Sequence, residues 1–377
     1  MTCPLVEIHA TEADWLEARR KSIGGSGILD LLGIEIDGRE PRGLWWLWLH
    51  HSPQRWETIG QDGRDRYREI ETSGFNVNLA ARSAMEPVIQ AWAEEENEIS
   101  IFDPRDYCIL RHPEDPRKHC SPDGLVFSKK EMRPFMARIG RHYKRGEWKK
   151  YKTFIEEGFL TGGLNTFAEY KTVSPFARHH WTPQEPSLHA LMQSVWYMGV
   201  TGFDHARVFG QVGFGDAPHD RLSYVVERND ELLGLMDEAF DEFWKHVDND
   251  TEPPVDGFSK TTQAIRLLYR SRPKKEARMV SYASDSDEGA KIISASDELK
   301  LIKGQLDTLG RRKEQLRQEI EVEMGHLEAD NLIISAPDRA VTWARQEISP
   351  KDTRCPHCKE VTTKRKPHTT LTGPKES

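Results

Sequence analysis

The chain has 377 residues, of which 37% are apolar and 30% charged, and a formal net charge of -8. This balance excludes a chain built around membrane spans and one too polar to bury a core, leaving a soluble globular protein with polar extensions. Five cysteines (Cys3, Cys108, Cys120, Cys355 and Cys358) are too few and odd in number for a disulfide framework, which points to a reducing environment.

In chain order, Met1 to Ala10 lacks a basic start followed by an apolar stretch, so no secretory signal is expected and the expected compartment is the cytoplasm. Glu12 to Leu32 reads as helix, glycine turn, helix, with Ile23-Gly24-Gly25-Ser26-Gly27 as the break. The tryptophan-rich stretch Gly43 to Trp56 is predicted as one helix, and Ala80 to Glu96 as an amphipathic one with Met85, Val88, Ile89 and Trp92 at helical spacing. Tyr107 to Arg111, Gly124 to Phe127 and Thr166 to Thr172 read as strands. Between the last two, Lys129 to Lys152 holds ten Lys/Arg against Glu131 and Glu147. Ser187 to Met198 is predicted helical. Ala206 to Val212 and Leu222 to Glu227 form an expected hairpin, and Glu231 to Val247 a helix with Asp230 as its N-cap. Helices followed by mixed strands between helices predict a small α/β (α+β) sheet.

From Thr251 the texture changes. Pro253-Pro254 and Ser281 to Gly289 read as linkers. Leu299, Ile302, Leu306, Leu309, Leu316 and Ile320 keep a heptad interrupted by Lys313, with Asp297 and Glu298 expected in the first turn and Gly325 at the end. A terminal hairpin is expected over Leu332 to Ile334 and Ala340 to Trp343. The predicted organisation is therefore a domain over 1–257 with a basic insertion at 128–165, a linker and coiled-coil extension with hairpin over 258–348, and a polar, mobile tail over 349–377.

Two features carry chemistry together. Ser121-Pro122-Asp123-Gly124 precedes the apolar Leu125-Val126-Phe127, and Glu169-Tyr170-Lys171 lies inside a strand-like run. On a strand, Glu169 and Lys171 emerge on one face. A carboxylate and an ammonium there, with a second carboxylate on a neighbouring strand, suit a hard cation beside a water. Either motif alone is ordinary: Glu-x-Lys serves most often as a surface ion pair, and Pro-Asp-Gly as a turn.

This order, Asp followed by Glu-x-Lys, resembles the signature of the PD-(D/E)xK nuclease superfamily, and the fuller pattern resembles the lambda-phage exonuclease, or YqaJ-like viral recombinase, family. Trp15-x-x-x-Arg19 with Ile23-Gly24-Gly25-Ser26, then Met85-Glu86-Pro87, Ser121-Pro122-Asp123-Gly124, and Gln193 with Val200-Thr201-Gly202 all fit, over roughly residues 12 to 250. Met324-Gly325 and Thr342-Trp343 resemble the tail of relatives. The resemblance implies a restriction-endonuclease-like core and magnesium-dependent 5′-to-3′ hydrolysis of duplex DNA, with manganese as a substitute. It assigns Asp123, Glu169 and the Tyr170 carbonyl to the metal, Lys171 to catalysis, and Glu86 to a second metal or to the attacking water. Arg19, Ser26 and Gln193 are assigned to a 5′-phosphate, for which an arginine fork and free backbone N–H groups are suited. It also implies a toroidal homo-oligomer, duplex DNA ends and a single-strand annealing protein as partners, and the cytoplasm of a bacterium or phage-infected host.

Three positions depart from the family: Arg82 and Val195 replace a glycine and a second glutamine, and Asp123 and Glu169 lie 46 apart (169 − 123) where a short hairpin is usual. The added stretch is the basic one, expected as a helical arm that touches DNA. Cys355-Pro356-His357-Cys358 has only His368 as a further zinc ligand, short of the four a structural site takes, so two free thiols are favoured. The competing readings are a PD-(D/E)xK endonuclease, a Cas4-like nuclease, whose cluster the cysteine spacing does not supply, and a non-catalytic DNA-binding module.

Overall fold

The run Thr166–Val173 alternates in what it buries, and the rest of the fold is built on its two faces. The computed structural model describes residues 3–9, 11–35, 40–72, 77–104, 108–128, 148–213, 218–269, 281–284, 286–326, 331–336, 339–348, 353–354, 361–363 and 368–376. These fall into two compact units, Met1–Lys275 and Glu276–Ser377.

The main elements of the first unit are β1 (Leu5–Ile8), α1 (Glu12–Arg20), α2 (Gly25–Leu31), α3 (Leu44–His51), α4 (Pro53–Thr58), α5 (Gly60–Thr72), α6 (Val77–Asn97), β2 (Ile99–Phe102), β3 (Cys108–Arg111), β4 (His119–Cys120) and β5 (Gly124–Ser128). They continue as α7 (Trp148–Leu160), β6 (Thr166–Val173), a 3-10 turn (Pro175–His180), α8 (Leu188–Thr201), β7 (His205–Val212), β8 (Arg221–Glu227), α9 (Asp230–Asp248) and α10 (Ser259–Leu268). The main sheet has the order β2-β5-β6-β7-β8. Within it β6 and β7 run parallel, a pairing that requires the crossover supplied by α8, and the other neighbours run antiparallel. A small sheet, β1-β3-β4, stands beside it.

Period-two alternation divides β6 between two cores. Ala168 and Tyr170 pack with Ile89, Trp92 and Ala93 of α6. Phe167 and Val173 join the main core with Tyr197 of α8, whose ring lies 5.6 Å from that of Phe167. Helix α8 is set by caps at both ends. The Ser187 hydroxyl accepts from Ala190 N, and Gly202, left-handed at φ 73, donates to Met198 O. The sheet therefore lies between α6 and α8, a mixed α/β sandwich of the expected class.

Several boundaries differ from the sequence reading. Gly43 to Trp56 is two helices, because Ser52 caps a new one that begins at Pro53. Asn229, not Asp230, caps α9 through its side chain. The first unit continues past 257: Thr261, Ala264 and Leu267 of α10 are buried, Asp256 Oδ2 accepts from Leu44 N at 2.7 Å, and Lys260 pairs with Glu71 at 2.9 Å. Of the 128–165 insertion, 129–147, which holds most of its basic residues, lies outside the described residues. Its second half is α7, which buries Phe154, Ile155 and Phe159 and so packs into the core instead of standing off as the expected arm.

In the second unit α11 (Asp287–His326) begins ten residues before the expected first turn at Asp297 and runs past Gly325. The expected hairpin forms as β9 (Asn331–Ala336) and β10 (Arg339–Ile348). The tail expected to be mobile contributes β11 (Thr353–Arg354), β12 (Val361–Thr363) and β13 (His368–Glu376), the last paired with β10. Cys355 and Cys358 lie outside the described residues. No helix among the described residues is long and apolar enough to cross a membrane.

Candidate active site

Strand β5 ends its pairing with β6 at Gly124↔Ala168, one residue short of Asp123. Beyond that point no strand among the described residues lies beside the β6 edge, and the Asp123 carboxylate takes that place: its Oδ2 accepts from Tyr170 N at 2.6 Å. In a strand the N–H and C=O of one residue point to the same side, so the Tyr170 carbonyl faces the same open edge. Asp123 therefore sits at the end of its strand because the chain turns there, and its distant partner, Glu169, is brought alongside by sheet register.

Glu169 and Lys171 share the α8 face. Glu169 is 2% exposed, and its Oε1 accepts from Lys171 Nζ at 2.5 Å. Its other oxygen, Oε2, is buried with no hydrogen-bond partner among the described residues. Lys171 Nζ also donates to Gln193 Oε1 at 3.0 Å, and Gln193 Nε2 donates to the Tyr197 hydroxyl at 2.9 Å. Both ends of the amide are thus engaged, which ties Gln193 first to holding the lysine.

The electrostatics follow from two carboxyls sharing one enclosed place. Burial, then the nearby Glu169 charge, pushes Asp123 up to about 8, with Lys171 and the Tyr170 N–H opposing. Burial also raises Glu169, while Lys171 holds it down. Glu86, exposed on α6, acts on both Glu169 and the Tyr170 hydroxyl, which places the third assigned acid at the same site. Among the described residues no three His, Cys, Asp or Glu side chains converge closely enough to form a ready-made metal cage. The two-carboxylate arrangement, with one oxygen unpartnered and one proton held too tightly, nevertheless fits a hard cation that brings most of its own oxygen ligands.

Arg19 stacks over the Trp15 ring, its Cζ 4.4 Å from the centroid, one helical turn away. Burial lowers its basicity, and among the described residues no carboxylate pairs with it. Ser26 opens α2, half-buried. The glycines before it are required by contact. A Cβ at Gly25 would stand 2.7 Å from Gln193 Cγ and 2.8 Å from Tyr197 Cε1, and one at Gly24 would stand 2.6 Å from His119 Nε2. The Arg19–Ser26 corner is thus packed against the Gln193–Tyr197 side of the face that carries Glu169 and Lys171.

Sequence reasoning missed three neighbours. Tyr197 follows Gln193 by one helical turn, a spacing that signals contact, and its hydroxyl also donates to Ser121 O at 3.4 Å. His119 is 2% exposed with neither ring nitrogen partnered among the described residues, and burial beside Arg19 keeps it neutral. Asp103 adds a further acid that acts on Asp123 and Tyr170. Nothing local in the sequence marks His119 or Asp103.

Fold and site together define an α/β protein whose mixed sheet brings two carboxylates and a lysine to one open strand edge. No family model matches the chain. It is similar to the uncharacterized protein YqaJ of Bacillus subtilis, 22% identical over 331 residues that cover 86% of this chain and 83% of that one, and this match meets the expectation of a YqaJ-like protein. Among solved structures it is similar to the alkaline exonuclease LHK-Exo of Laribacter hongkongensis, with TM-score 0.39 and 14% identity over 63% of this chain and 93% of that one. The same enzyme in complex with dAMP gives TM-score 0.38 and 15% identity.

Proposed function

We propose that the protein is a magnesium-dependent exonuclease that hydrolyses duplex DNA from an end in the 5′-to-3′ direction, as part of phage-type recombination. The observation that carries this reading is the buried Glu169 Oε2, without a hydrogen-bond partner among the described residues, beside Asp123 and Lys171. Asp123, Glu169 and the Tyr170 carbonyl are the groups that would hold magnesium, or manganese in its place, with Glu86 facing a second position or the attacking water. When bound, such a cation supplies a Lewis acid beside the scissile phosphate and lowers the pKa of a water. The chain supplies the rest. Lys171, held by Gln193, can turn from Glu169 to a phosphate oxygen and stabilise the charge that grows there. Arg19, lacking a counter-ion among the described residues, suits a terminal 5′-phosphate, with Ser26 and Gln193 beside it. The partners are duplex DNA ends, further copies of this chain and a single-strand annealing protein.

Linear duplex labelled at either end, with and without a 5′-phosphate, tests the reading. Magnesium should release the 5′ label first, with the phosphorylated end preferred and closed circles spared. Lys171→Ala should lower kcat by about 10²-fold or more. Release of the 3′ label first would overturn the polarity. A wild-type protein inert with every divalent cation would overturn the enzyme.

A further inference from the structure

The chain leaves β6 two residues after Lys171 and folds back over the catalytic face. Gly213 N donates to Val173 O where it leaves. It returns to the sheet at Trp181, whose Cζ3 lies 3.4 Å from where a Cβ of Gly210 would stand. Gly210 is the register partner of Lys171, so Trp181 lies on the face that carries the lysine. Both feet of the arch 174–181 are therefore planted beside Lys171.

The arch is held by its own bonds. The Ser174 hydroxyl accepts from Phe176 N, Ser174 O accepts from Ala177 N, Trp181 N donates to Arg178 O, and Arg178 Nη1 donates to Trp181 O. Trp181 is buried against Tyr224, whose hydroxyl donates to Thr182 O at 2.8 Å. On this fixed support Phe176 is 91% exposed, more than any other large apolar side chain among the described residues. Arg178, His179 and His180 follow it, the two imidazoles 4.0 Å apart. Five residues separate Phe176 from Lys171, a reach of at most about 18 Å, or roughly five base steps of a duplex.

We propose that Phe176 is a stacking platform for an unpaired base of the DNA end, with the exposed His179 and His180 beside the adjoining backbone. The proposal rests on the reading of the site as a DNA exonuclease. An exposed aromatic ring on a rigid support, flanked by donors and beside a phosphodiester site, offers what single-stranded binding surfaces use: a face that any base can stack on and charge that follows the phosphates.

The test uses the full chain with calcium replacing magnesium and duplexes carrying 5-iodouracil at each of the first four positions from either end. Irradiation should cross-link one or two of these positions to the peptide bearing Phe176. Phe176→Ala should abolish that cross-link and weaken binding to an end with a short single-stranded overhang about tenfold, and Phe176→Trp should restore the binding. Because the side chain is exposed, the alanine variant should melt as wild type does. Wild-type binding to DNA ends with no cross-link in 174–181, or an alanine variant that binds within twofold of wild type, would overturn the platform and leave the nuclease reading standing. A wild-type chain that binds no DNA would overturn both.

Discussion

At Asp123 two demands meet. Its carboxylate replaces a missing strand partner by accepting from Tyr170 N, and it shares an enclosed place with Glu169. With the carboxyl raised to about 8, the folded protein without a cation keeps a proton that the unfolded chain gives up near pH 4. Stability of that state therefore falls as pH rises between these values, and cation affinity rises across the same window because binding displaces the proton. Asp123→Asn keeps an oxygen for the Tyr170 N–H but removes the titration. Urea melts in EDTA at pH 5 and 8.5 should show a loss of stability with pH in wild type and a flatter response in the variant, and equal slopes would contradict the account. The motif residues were legible in the sequence because Glu-x-Lys on a strand carries its own geometry. Asp103 and His119 were not, since their nearness to the site comes from β2 and β4 meeting elements far away in the chain.

At the scale of elements, the site depends on how closely α2 approaches α8. The glycine turn read from Ile23-Gly24-Gly25 was legible, but its purpose was not: Gly25 is excluded from carrying a Cβ by Gln193 and Tyr197, and Gly24 by His119. Gly25→Ala should force α2 away from α8, costing about 1–3 kcal/mol and moving the support of Lys171. A urea midpoint shifted down, with kcat reduced more than KM is raised, would show both effects. An unchanged midpoint would mean that the two helices yield without cost. Long periodic elements such as β6, α8 and α9 were recovered from pattern alone. The errors fell where tertiary contact decides, as with α10, whose Lys260 pairs with Glu71 of α5 across 189 residues and whose preceding Asp256 accepts from Leu44 N of α3 across 212, and with α7, whose basic start hides an apolar core face.

For the whole molecule, the residues proposed for catalysis all lie in the first unit, so the proposed chemistry assigns no residue to the second. Helix α11 leaves its heptad uncovered: Leu299 is 68% exposed, Leu306 62% and Leu309 64%. A stripe of this length on one helix marks an association surface, and Lys313 within it would set register, as a lone polar core position does in coiled coils. Association of copies through α11 would concentrate several of the proposed exonuclease sites on one DNA without altering any of them. Leu306→Glu with Leu309→Glu in the full chain should therefore weaken self-association by about 10²-fold or more, since each buried leucine contributes roughly 1.5–3 kcal/mol. Sedimentation should show a smaller species, the initial cleavage rate should stay at the wild-type value, and the length digested per binding event should fall. A double variant that sediments as wild type would assign the contact to the first unit, and the exposed heptad would then need a different partner.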